Sequence, residues 1–287
     1  MKKLFRYLEE IPMSKRWVLA IIAISIAVVP TLINLLFTSE TLRTLLDEQL
    51  NFVLMGMAVY CSWLTLLYLL TRKDRVGLKH LSLTRAAITK GLIIGIGLFA
   101  AVNAALLLKS LIFEDSIALS RRFSSLEGAS AALGVFTFNI FLGAFAEEIL
   151  CRVYLIPQCF LLLGRKIKHK ATALLLSLVL SQLLFAAAHL PRDLFRFDVS
   201  AATIISTQAQ LFMSGIILSL VYLRTRNVVF LGLFHAFMNY GLPITGMDAD
   251  FKLYYMVAAF AIAVFWGKIL KTDRTAEALS PDLLAVK

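Results

Sequence analysis

The chain has 287 residues, 60% of them hydrophobic and only 16% charged, with a formal net charge of +11. A mean hydropathy of +0.82 excludes an ordinary soluble domain and points to a membrane protein. The basic balance alone would suit nucleic acid, but no cluster interleaves aromatic with basic residues, so a nucleic-acid partner is not expected.

Apolar runs near the roughly 20 residues needed to cross a hydrocarbon core occur in order at 17–37, 51–71, 87–113, 131–151 (apolar on to 163), 171–189, 201–223, 228–242 and 252–270. They lack period-two alternation and are too long for barrel strands. The expected fold is all-α: a polytopic membrane helical bundle of about eight transmembrane helices enclosing a polar catalytic cavity. The first run follows five basic residues and shows no small-x-small cleavage site, so it reads as an anchor and not a cleaved signal. In the third run, Gly91 and Gly95 make a small-xxx-small face suited to close helix packing.

Under this eight-span reading, alternate loops place 21 Lys and Arg residues on the side of both termini and 7 on the other. That bias predicts cytoplasmic termini in a bacterial-type inner membrane. The expected organisation is a cytoplasmic segment 1–16, three accessory helices in 17–130, motif-bearing helices in 131–242, a last helix in 243–271 and a disordered tail, 272–287. Cys61, Cys151 and Cys159 all fall in apolar runs, offer no CxxC and read as packed thiols.

Against this background a few polar groups stand out. Glu147 and Glu148 are the only two of the 18 acidic residues that no loop or tail accounts for. An ionisable group at membrane depth is costly unless paired, and is a functional hypothesis by default. Arg152 lies four residues beyond Glu148 and can pair with it on one helical face, whereas Glu147 is turned about 100° away. His189 closes the fifth run four residues after Phe185, whose ring can pack on the imidazole. His235 and Asn239, also four apart, put an imidazole and a carboxamide on one face. The remaining histidines, His80 and His169, lie in basic loops.

A glutamate and a histidine can hold and deprotonate water, and a second imidazole with an amide can stabilise an oxyanion. The same Glu147, His189 and His235 could instead ligate a divalent metal such as zinc, and this residue set leaves both chemistries open. HExxH, an intramembrane aspartate pair and a GxSG nucleophile turn are all missing from the sequence; Ser214-Gly215 reads as helix packing. Non-enzymatic alternatives with the same polar cavity are an immunity or scaffold protein and a small transporter.

In order, EExxxR (Glu147, Glu148, Arg152), FxxxH (Phe185, His189) and HxxxN (His235, Asn239) resemble the CPBP family, the CAAX-processing and bacteriocin-processing intramembrane endopeptidases related to the Ras-converting enzyme. The resemblance covers about 130–240. It implies a CAAX-type protease in which Glu147 is the catalytic glutamate and His189 its partner in activating water. His235 and Asn239 would be the oxyanion pair, and Arg152 the structural partner of Glu148. The family has been described both as metal-dependent and as glutamate-type. The expected partners are the lipid bilayer and a membrane-associated protein or peptide, with a lipidated one among the options.

Depth poses one constraint. His189 lies ~27 Å along its helix, and Glu147 reaches the same level only if its own helix runs unbroken to Leu163, bent at Pro157. His235, about eight residues into a short span, would sit lower unless that helix is tilted or displaced.

Overall fold

Backbone N–H and C=O groups in hydrocarbon must bond within their own segment, so the apolar runs close into helices. The computed structural model describes residues 2–46, 48–72, 76–77, 79–113, 119–138, 143–195, 197 and 199–269. The expected tail, 272–287, lies outside the described residues. In chain order the helices are α1 (Lys2–Glu9), α2 (Arg16–Phe37), α3 (Glu40–Leu45), α4 (Glu48–Arg72), α5 (Arg85–Phe113) and α6 (Leu126–Phe138). There follow α7 (Phe145–Glu148), a π-helical stretch (Ile149–Leu155), α8 (Ile156–Gly164), α9 (Lys170–Phe195), α10 (Ala201–Thr225), α11 (Val228–Asn239) and α12 (Asp248–Ile269). Among the described residues the only β-pairing is an isolated bridge between Leu119 and Thr245.

The bundle is a helical membrane architecture, but the count of eight spans is not confirmed. Five helices are long and apolar enough to cross: α2, α5, α9, α10 and Asp250–Lys268 of α12. Val53–Leu69 of α4, α6 and α11 are apolar but shorter. Within the run at 131–163, α6 is described to Phe138 and the helical rod that carries the glutamates from Phe145; residues 139–142 lie outside the described residues. The 12 residues of α11 reach only ~18 Å, well short of the ~30 Å core.

That glutamate-bearing rod is continuous. Residues on both sides of each junction keep right-handed helical angles, from Glu148 (φ −68°, ψ −43°) to Ile156 (φ −57°, ψ −53°). Pro157 supplies no N–H and its ring crowds the carbonyl one turn back, so the preceding turns widen into π geometry instead of breaking. Every residue from Ile149 to Leu155 is buried, so no freed carbonyl faces lipid.

Small residues decide how closely α11 approaches. A Cβ on Gly91 would lie 2.5 Å from Asn227 Oδ1 and 2.6 Å from Val229 Cβ, and one on Gly95 would lie 2.5 Å from Leu233 Cδ1. The small-residue face of α5 therefore seats α11 directly. On its other side, Gly232 admits the Phe145 ring, which a Cβ there would meet at 2.8 Å. Asn227 caps α11 by accepting from Phe230 N at 2.8 Å and donates to Ala87 O on α5 at the same distance. Thus α11 is clamped between α5 and α7, with His235 facing the glutamate rod.

At the amino-terminal end, α1 buries Leu8 and stacks Phe5 on Phe160 of α8. Gln158 bridges to Ser14 N and Pro12 O, which fixes the arm to the rod.

Candidate active site

Glu147 and Glu148 leave the rod in different directions, as adjacent helical residues must. Glu148 is fully buried. Its Oε1 stands 3.2 Å from Arg152 Nη1 and accepts a 2.7 Å bond from His235 Nδ1. Arg152 is also fully buried, and its guanidinium lies 4.0 Å from the Phe185 ring centroid. None of its nitrogens meets hydrogen-bond geometry with the described residues, so charge and the ring face hold it. Gln182 lies beside it without a hydrogen-bond partner among them. Both side chains close on Gly215 of α10, where a Cβ would come 3.1 Å from Arg152 Nη2 and collide with Gln182 Oε1.

Glu147 faces a different set. Its Oε1 accepts from the Tyr60 hydroxyl at 3.0 Å and lies 3.7 Å from His189 Nε2. Its Oε2 lies 3.7 Å from His235 Nε2. Both separations exceed hydrogen-bonding range and suit a water bonded to the two partners. His189 Nδ1 is 2.9 Å from the Phe185 carbonyl, to which it donates, so the neutral ring carries its lone pair on Nε2, facing Glu147. Phe185 contacts that ring edge-on, with centroids 4.9 Å apart, and lies 6.3 Å from the His235 ring. One aromatic side chain therefore buttresses His189, His235 and Arg152.

His189 does not end its helix, as the sequence suggested. Helix α9 runs on to Phe195 with Pro191 inside it, which brings Arg192 into the site. Arg192 lines the same cavity as Glu147 and is anchored by Nη2 to Asp193 Oδ1 at 2.8 Å. Asn239, the last residue of α11, is exposed and lines that cavity too.

Two cavities flank these groups. One, about 170 Å³, has Glu147, His189, Arg192, Asn34 and Tyr60 in its wall. The other, about 220 Å³, is walled by apolar side chains including Leu211, Phe234 and Met256, and reaches His235 and Asn239. Asn239 belongs to both.

Among the described residues no group of three or more His, Cys, Asp and Glu side chains is arranged to hold a metal ion. Glu147, His189 and His235 converge without forming such a group, and Glu147 Oε1 is already engaged by Tyr60.

Sequence reasoning missed Tyr60, Arg192 and Gln182. Tyr60 sits in an apolar run with no motif around it. Gln182 had a signal, a carboxamide seven residues before His189 in an otherwise oily helix.

The family model described as Type II CAAX prenyl endopeptidase Rce1-like matches residues 129–241, the segment holding every motif residue. Over this segment the chain is similar to the Rce1-like CAAX-type endopeptidases, and that similarity indicates a protease. No curated protein and no solved structure gives a significant match.

Proposed function

We propose that this protein hydrolyses a peptide bond of a membrane-associated protein or peptide with water activated by Glu147 and His189. The observation that carries this reading is the convergence of the Glu147 carboxylate with the Nε2 atoms of His189 and His235, each at 3.7 Å. A water bridging Glu147 and His189 gives one proton to the carboxylate and directs the other to the His189 lone pair. Hydroxide attacks the scissile carbonyl, and Glu147 returns its proton to the departing amine. Tyr60 holds the carboxylate in place throughout.

The developing oxyanion then needs donors. His235 donates from Nδ1 to Glu148, so donation from Nε2 as well requires the imidazolium, whose charge Glu148 balances. Asn239 Nδ2 supplies a second donor from the same helical face.

The substrate is one that partitions into the bilayer through a lipidated tail, a hydrophobic leader or the end of a transmembrane segment. Partitioning at about 0.8 kcal/mol per buried methylene concentrates such chains beside the helices, and the apolar second cavity suits a hydrophobic side chain. The test is cleavage of one peptide sequence, with and without a lipid anchor, in bilayers containing wild type or Glu147→Gln. Anchored peptide should be cut by wild type alone. Processing by a folded Glu147→Gln variant would overturn the mechanism, and equal rates for anchored and soluble peptide would overturn the substrate class.

A further inference from the structure

A cavity of about 920 Å³ opens where α1, the start of α9 and the ends of α10 and α12 meet, away from the motif residues. Its rim carries Lys2, Lys3, Arg224 and Arg226, and among the described residues no acidic side chain lines it. The nearby acids Glu9 and Glu10 are engaged elsewhere, Glu9 with Lys170 and Glu10 with Arg6. Below the rim the wall is apolar: Leu174 and Leu178 of α9, Leu220 of α10 and Trp266 of α12. Leu220 and Arg224 are four residues apart, so the wall changes from apolar to cationic along a single helical face.

The guanidiniums are held in place. Arg224 Nη2 donates to Val264 O at 2.6 Å, and Arg226 Nη2 donates to Lys3 O at 3.0 Å. Arg226 also lies over the Tyr7 ring, 4.4 Å from its centroid. It ends α10 at φ 51°, a left-handed position that glycine or asparagine fills at less cost. The negative end of the α10 dipole accounts for cations on α10 itself. It does not account for Lys2 and Lys3 arriving from another helix, nor for the apolar cleft beneath them.

We infer that this cavity is a binding site for an anionic phospholipid, its phosphate on Lys2, Lys3 and Arg224 and an acyl chain on Leu174, Leu178 and Trp266. The charge matches the headgroup, the order from cation to apolar wall matches the direction of a lipid, and tryptophan is suited to that interfacial level. The bound lipid joins α1 to α9, the helix carrying His189. The site does not depend on the catalytic reading.

The experiment titrates the full-length protein with phosphatidylglycerol or phosphatidylcholine bearing brominated acyl chains. It reads the tryptophan fluorescence that is lost in Trp266→Phe. Quenching by the anionic lipid should be half-complete at a concentration lower by about tenfold or more, and the preference should vanish in a Lys2→Gln, Lys3→Gln, Arg224→Gln variant. Should that variant fold poorly, Lys2→Gln with Lys3→Gln alone, both exposed, should still weaken the preference several-fold. Equal quenching by the two lipids would mean bulk lipid contact only and would overturn the site, as would a preference that survives in the folded variants. Full displacement of the lipid by glycerol 1-phosphate would overturn the acyl-chain half of the assignment.

Discussion

Glu148 Oε1 stands 2.7 Å from His235 Nδ1, so the carboxylate that pairs with Arg152 also orients the histidine from a distant helix. The two residues are 87 positions apart, and their contact ties the EExxxR motif to the HxxxN motif. Under the proposed mechanism Glu148 thereby positions His235, in addition to steadying a buried cation.

Glu148→Gln keeps the shape but weakens the hold on His235 Nδ1–H. Cleavage should fall about 10–100-fold in kcat with little change in KM, the scale typical of outer partners of a functional histidine. Glu148→Ala should in addition lower thermal stability, since Arg152 is left buried without its carboxylate at a cost of about 3–5 kcal/mol. A calorimetric melt and steady-state kinetics on both variants separate the two effects.

Tyr60→Phe removes only the hydroxyl that donates to Glu147. The ring still packs edge-on against Trp63, at 5.9 Å between centroids, so the fold should persist. A hydrogen bond to a charged group contributes about 1.5–3 kcal/mol, and kcat/KM should drop roughly 10–100-fold at an unchanged Tm. Wild-type activity in this variant would remove Tyr60 from the working site.

Gly215→Ala should destabilise the protein by about 1–3 kcal/mol, because its methyl group enters the space of Gln182 and Arg152. Gly97→Ala is the control: nothing lies within 4 Å of a Cβ there, and the site is helical. Its expected effect is neutral or slightly stabilising. Thermal melts of the two variants side by side test the assignment.

Residues 2–4 and 266–267 line a single cavity, so both ends of the described chain lie on one side of the bundle. Together with the 21-to-7 charge bias of the eight-span reading, this predicts that both termini face the cytoplasm. Reporter domains fused to each end should give matching cytoplasmic signals, and opposite signals would refute the topology.

Composition and motif order were enough to establish a helical membrane protein and to single out polar residues that converge in the bundle, for a physical reason. Carboxylates and imidazoles are so costly in hydrocarbon that the few present at Glu147, Glu148, His189 and His235 stand out from the oily background. Four-residue spacing made the Glu148–Arg152 and Phe185–His189 contacts legible, because a helix fixes them locally. Relations between helices were not legible. Run length could not show that Pro157 would widen the glutamate rod without breaking it. Nor could it show α9 continuing past His189 to present Arg192. The Tyr60–Glu147 and Glu148–His235 bonds each join residues 87 positions apart. They exist only because glycines at 91, 95 and 232 let α11 sink between α5 and α7, and because α4 packs beside the glutamate rod. Such contacts depend on side-chain volumes meeting across helices, a property of the packed bundle that no single stretch of sequence contains.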